Sequence, residues 1–175
     1  MNVLGHTFVA RAAGPDDPEF LLGAVLPDLA PMAGIRLARA GIGGTLGDGV
    51  RCHVRTDDAF HGLPAVRAGM GELRADLTRR GVASGPARAV GHAGWELMLD
   101  GTLLAVPAAD DFGRALAAGE AALAVLDPAD RSRWAAFLAR ARRAPRPRYD
   151  DTGWVAERLH AMLARPSLWP QGRKR

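Results

Sequence analysis

Apolar residues in this chain recur at helical spacing between glycine and proline breaks, and the period-two alternation of a half-buried strand is nearly absent. That pattern leaves helices packed on helices as the way to bury apolar surface. The chain has 175 residues, 48% hydrophobic and 24% charged, which is enough to build a proper core. The same balance sets it apart from disordered, collagen-like and coiled-coil chains. The expected architecture is an all-α, single-domain bundle of about seven to eight helices over residues 1–170, followed by a frayed tail over 171–175.

The breaks predict where the helices fall. The first covers 2–12 and closes at Gly14-Pro15. The second opens after Asp17, with Pro18 in the first helical position and Glu19 in the first turn, and runs to Pro27-Asp28. A short helix is expected over 29–40, then a flexible glycine-rich loop over 41–49. That loop has no strand before it and no Gly-Lys-Ser/Thr ending, so it does not read as a phosphate cradle. Further helices are expected over 50–62, 64–80, 84–105 with Ser84 as N-cap, 109–126, 128–143 and 152–165. Phe112, Leu116, Ala122 and Leu123 give the 109–126 segment its core stripe.

Charge and cysteine content narrow the function classes. Only Lys174 is lysine among 23 basic residues, which mostly reflects coding bias, and the net charge is +4. Arg131, Arg133, Arg140, Arg142, Arg143, Arg146 and Arg148 form one cluster. It reads either as a solvated helix face or as a docking surface for an acidic partner. No aromatic interleaving accompanies it, so nucleic acid is not an expected partner. Cys52, the single cysteine, excludes an intramolecular disulfide and is expected to be an ordinary small buried residue. There is no signal-like leader and no run of about eighteen apolar residues, so the expectation is a cytoplasmic chain with no membrane span.

The five histidines are the most informative residues. His92, Glu96 and Asp100 stand at i, i+4 and i+8, one above another on a strongly apolar helix. Ionisable groups in such a setting are costly unless they pair or bind a cation. His53, Asp57 and His61 repeat the spacing on the 50–62 helix, with Asp58 alongside. At random frequencies such His-led ladders occur roughly 0.1 times per chain. Two ladders facing each other across a bundle interior would resemble helical carboxylate–histidine metal sites. The plainer reading is a set of hydrogen-bonded core groups, with Glu96 paired to a residue such as Arg88. His160 fits no ladder and reads as structural or exposed, and Trp95 and Trp154 read as core.

Four segments carry a family resemblance. MNVLGHTFVA resembles the Met-Asn-Phe-Leu-Ala-His opening of the acyl carrier protein phosphodiesterase family. FLLGAVLPDLA resembles its Gly-Asn-Phe-Leu-Gly-Asp segment, placing Asp28 at the family's early aspartate. GVRCHVRTDDAFH is similar to its Gly-Ile-x-Leu-His-Arg-x-Ile-Asp-x-Phe-Thr-Asp block, matching His53 and Asp57. GWELMLDGTLL is similar to its Asp-x-x-x-Asp-His-x-Leu block, matching Glu96 and Asp100. The likeness covers residues 1–105. Zinc-dependent phospholipase C-like proteins, with a Leu-Gly-x-x-x-Pro-Asp segment and helical His and Asp ligands, are nearly as similar. The departures are Val54 for the family's Arg, His61 for an Asp, Gly101 for the His of the Asp-His pair, Glu96 for an Asp, and the added His92.

The resemblance implies an all-helical fold related to the HD-domain phosphohydrolases. It also implies Mn- or Mg-assisted hydrolysis of the phosphodiester joining 4′-phosphopantetheine to a carrier-protein serine. The expected function is therefore a metal-dependent hydrolase of a phosphoester, on an acyl carrier protein, a small molecule or a lipid head group. One or two divalent cations (Mn, Zn, Fe or Mg) would be held by Asp28, His53, Asp57, His92, Glu96 and Asp100, with His6 and His61 as further ligands. Asp58 would accept the proton of the attacking water, and the arginine cluster would steer a phosphorylated small molecule or an acidic carrier protein. The rival expectation is a non-catalytic helical protein with a buried polar network or structural metal, binding a partner through its arginine-rich face.

Overall fold

The computed structural model describes residues 1–38, 41–106 and 108–164, and every regular element among them is helical. The helices are α1 (Val3–Ala13), α2 (Pro18–Met32), α3 (Gly44–Gly62), α4 (Pro64–Arg79), α5 (Ser84–Thr102), α6 (Ala108–Ala117), α7 (Arg131–Ala141) and α8 (Thr152–Leu163). Short 3-10 turns at Gly119–Ala124 and Pro128–Asp130 join α6 to α7. The all-α expectation is met. The tail over 171–175 lies outside the described residues. No described helix is long and apolar enough to cross a membrane.

α2 is the axis of the molecule. Asp17 caps it by accepting from Glu19 N at 2.7 Å, and Pro18 opens it. Leu21, Leu22, Val25, Leu26, Leu29 and Ala30 are each at most 1% exposed, so the helix is buried nearly all round. The expected stop at Pro27-Asp28 and the separate helix over 29–40 do not occur. α2 continues through Pro27 and Pro31 to Met32, and 35–38 are not helical, while 39–40 lie outside the described residues. A proline inside a helix removes a hydrogen bond and crowds the preceding turn; burial of this much apolar surface outweighs that cost.

The expected loop over 41–49 is corrected in the same way. Gly41 and Gly44 have positive φ and turn the chain, but α3 begins at Gly44. The later glycines serve close packing. A Cβ on Gly49 would lie 2.2 Å from the Phe20 carbonyl oxygen, and one on Gly23 would lie 2.1 Å from that of Leu46. α2 and α3 thus meet backbone to backbone.

Other boundaries shift for identifiable reasons. The expected helix over 109–126 breaks after Ala117, where the Arg142 guanidinium donates to the Leu116 and Ala117 carbonyls and caps the α6 terminus. Trp134, fully buried, donates its indole N–H to Gly119 O at 2.8 Å and fixes the 3-10 turn that follows. Ser84 is the first residue of α5 and makes no side-chain cap, Ala83 standing in the cap position. α7 starts at Arg131 rather than 128, because Asp127 caps the Pro128–Asp130 turn instead. Cys52 is buried, whereas Trp95 and Trp154 are only half-buried.

The main core draws on α1, α2, α3, α6, α7 and the Gly119–Ala124 turn. α5 is packed between α4 and α8 and reaches this core through α1. Only Ala87, Gly91, Gly94 and Asp100 of its residues are buried, so it lies over the core as a second layer. Polar side chains from α1, α2, α3 and α5 converge in the seam between the layers.

Candidate metal centre

The inner part of the seam joins His6 on α1, Asp28 on α2 and His53 on α3. Their donor atoms all lie within 4.8 Å of one another, with His6 Nε2 3.8 Å from Asp28 Oδ2 and His53 Nε2 3.9 Å from Asp28 Oδ1. Both histidines are buried and their rings stack at 3.9 Å. His53 Nδ1 donates to the Ala24 carbonyl at 2.8 Å, which leaves its Nε2 with a lone pair. The Thr56 hydroxyl donates to the Cys52 carbonyl and faces His6 Nδ1 at 3.4 Å. With its one proton spent, that hydroxyl accepts from His6 Nδ1, so a neutral His6 turns a bare Nε2 toward Asp28 and Asp57, whereas a protonated one pairs with them. Two nitrogen lone pairs and a carboxylate aimed at one another repel unless a cation lies between them.

Asp57 continues the cluster outward. Its Oδ1 is 3.6 Å from His6 Nε2, 3.4 Å from His61 Nε2 and 2.7 Å from the Met1 amino nitrogen. Glu96 Oε1, on α5, is 3.3 Å from His61 Nε2, 3.2 Å from His92 Nε2 and 3.2 Å from the same amino nitrogen. The His61 and His92 rings stack at 4.8 Å. The α3 and α5 ladders therefore do meet, but at one end only.

The electrostatics follow this layout. Burial pushes the Asp28 carboxyl up to about 6, against the pull of His6. Burial, with His6 beside it, pushes His53 down to about 4, so its imidazole is neutral at ordinary pH. Burial also opposes ionisation of Asp57, but His6 and the Met1 amino group hold its carboxyl well below the usual range. Glu96, likewise resisted by burial, is lowered by His92, and that contact raises His92 in turn.

Two expected site residues are placed elsewhere. Asp100 is 1% exposed, and its two oxygens accept from Leu4 N and Gly5 N, each at 2.9 Å. It ties α5 to the first turn of α1, where a carboxylate also meets the positive end of the helix dipole. Both oxygens are thus committed away from the donor groups above, because the i+8 rung of α5 comes round against α1 rather than α3. Asp58 is exposed and lies about 100° round α3 from Asp57, outside the cluster. Asp100→Ala should lower stability by about 2–4 kcal/mol in denaturant melts, since two backbone N–H groups lose their acceptor in a buried place. Cation binding by the folded fraction should survive.

His6, which belongs to no ladder, turns out to be central. Its signal in the sequence was a lone imidazole in the apolar run VLGHTFVA. The Ala24 carbonyl and the Thr56 hydroxyl that orient the rings carry no such signal. His160 is exposed. The arginine cluster is not one free patch: Arg133, Arg142, Arg146 and Arg148 are paired with Asp130, Glu120, Asp110 and Asp151. A groove of about 1470 Å³ is lined by Asn2, Glu96, Leu97, Phe112, Phe137 and Trp154, with Arg140 and Arg158 also on its walls. No family model, curated protein or solved structure matches this chain.

Proposed function

We propose that this chain is a metal-dependent hydrolase of phosphoesters whose resident cation is held by His6, Asp28 and His53. One observation carries the reading. Among the described residues, the buried side-chain atoms that lack a hydrogen-bond partner are His6 Nε2, Asp28 Oδ2 and Glu96 Oε1; the first two belong to this group and the third to the His61–His92–Glu96 group beside it. Buried polar groups are normally satisfied, and neighbouring open atoms of this kind are what a bound ion would complete. The donor set of two imidazoles and a carboxylate suits Zn, Mn or Fe, with positions left for water and substrate.

A divalent cation there lowers the pKa of a water and neutralises charge on phosphoryl oxygens. The protein's own groups do the rest. The Ala24 carbonyl and Thr56 hydroxyl hold the two rings with Nε2 inward. Asp57 stays ionised at neutral pH, so it orients a substrate-side water by accepting its hydrogen bond rather than keeping the proton. The groove that Glu96 helps to line gives room for the non-reacting part of a substrate, and Arg140 and Arg158 give it positive charge. A phosphopantetheine arm on an acyl carrier protein, or a phosphorylated small molecule or lipid head group, fits that description. The resemblance to the acyl carrier protein phosphodiesterases supports the same chemistry.

The test is metal analysis of untagged protein, followed by assays on a nitrophenyl phosphodiester and on holo-carrier protein. About one equivalent of tightly held transition metal and metal-dependent hydrolysis are expected. Less than about a tenth of an equivalent, with no thermal shift on adding Mn, Zn or Mg, overturns the proposal. Cation affinity should also depend on pH with a fixed sign. Asp28 must ionise to bind, and burial holds its carboxyl at about 6, so affinity falls as the pH drops through that value. The fall should steepen further once His53 is protonated near pH 4, as read by calorimetry in non-chelating buffers.

A further inference from the structure

This inference rests on the reading above that His6, Asp28 and His53 hold a cation, and concerns the cluster beside them. Glu96 Oε1 has three nitrogens within 3.3 Å: His61 Nε2, His92 Nε2 and the Met1 amino group. Yet this buried oxygen makes no hydrogen bond of acceptable geometry. A carboxylate oxygen offers about two lone-pair directions, so three donors crowded on one oxygen cannot all be served. The two rings lie nearly parallel, 18° apart, with both Nε2 atoms turned to the same point. Two imidazole nitrogens and an anionic oxygen converging in this way make a ligand set when both rings are neutral. The Met1 amino nitrogen sits 2.7 Å from Asp57 Oδ1 and 3.2 Å from Glu96 Oε1, which marks the space between those carboxylates as favourable to positive charge.

We propose that His61, His92 and Glu96 bind a second divalent cation and that Asp57 is shared between it and the inner one. The carboxylate is placed for this, with Oδ1 3.6 Å from His6 Nε2 on one side and 3.4 Å from His61 Nε2 on the other. The two places differ in access. The His6 and His53 side chains are 0% and 7% exposed, whereas those of His61 and His92 are 30% and 53% exposed. The inner cation is therefore resident and the outer one exchanges with solvent, so activity follows the free metal concentration. Two cations bridged by a carboxylate can clamp both the attacking and the leaving oxygen of a phosphoryl displacement.

Metal-stripped full-length protein titrated with Zn²⁺ in a calorimeter tests this. The wild type should take two equivalents, the second at least about tenfold weaker. The double variant His61→Ala/His92→Ala changes half-exposed side chains outside the core, so it should fold. It should keep one equivalent at the inner affinity. Mn²⁺ supplies an independent readout: at one equivalent the spectrum is that of an isolated ion, and at two it broadens through coupling across Asp57. A wild type that saturates at one equivalent overturns the second site, the Met1 amino group then serving as the positive charge there. A double variant that still takes two equivalents also overturns it, and uncoupled Mn²⁺ at full loading overturns the sharing of Asp57. Failure of this inference is distinct from failure of the proposed function. One equivalent lost in His53→Ala but kept in the double variant removes only the outer site, whereas no bound cation in the wild type removes both.

Discussion

His53→Ala should cost the protein its resident cation while most of its fold survives. The variant removes an imidazole whose Nε2 points at Asp28 and whose Nδ1–H is spent on the Ala24 carbonyl. Loss of a group that merely orients a ligand weakens metal binding by about 10–100-fold, so loss of the ligand itself should weaken it by about 100-fold or more. Hydrolysis should fall by about 1,000-fold, because the acidified water and the neutralised phosphoryl charge are lost together. The cavity left is small and opens on the polar seam, so a melt should show a cost of about 1–2 kcal/mol in the metal-free state. The informative comparison is between metal-free and metal-loaded melts. Wild type should gain stability on loading, by RT ln(1 + [L]/Kd), and the variant should not. His160→Ala, at an exposed position, should match wild type in both. Retained cation binding in His53→Ala would mean that the seam is a hydrogen-bonded network and not a metal centre.

Gly49→Val should have the opposite signature, with little or no folded protein. The Cβ it adds lies 2.2 Å from the Phe20 carbonyl oxygen and 2.8 Å from Gly23 Cα. Both are backbone atoms of the helix that forms the axis of the core, so no side-chain rotation relieves the clash. α2 and α3 would have to separate, which also moves Asp28 from His53. The cost should be about 4 kcal/mol or more, in the exceptional range for one substitution and a large share of a domain's whole stability. The expected observation is insoluble expression, or a loss of the cooperative melt. Gly71→Ala on α4 is the control: the Cβ it adds meets nothing within 4 Å, and alanine favours helix at that position.

The helical character of the chain was legible because it rests on spacing, which every segment carries locally. So were the ladder positions: a residue four places on is on the same face of a helix wherever that helix goes. Asp57, His61, His92 and Glu96 accordingly came together as their spacing suggested, while His53 joined His6 and Asp28. Glycine and proline were the misleading residues. Pro27 reads as a stop and the 41–49 segment as a loop, because local propensity counts entropy and missing hydrogen bonds but not what packs against them. In the folded chain Pro27 lies within a buried helix, and Gly47 and Gly49 allow an approach that any side chain would block.

The division between sequence and tertiary structure is plainest at Asp100 and His6. The sequence alone determined that the chain is helical and that two of its helices carry His-led ladders, one of them in an apolar stretch. It could not rank the rungs. Asp100 shares the face and spacing of Glu96, yet it is taken up by the Leu4 and Gly5 N–H groups, while His6, outside both ladders, completes the inner group. Spacing sets which side of its own helix a residue occupies. Which other helix that side meets depends on crossing angles and on the close contact of α2 with α3, and these are set only when the core packs.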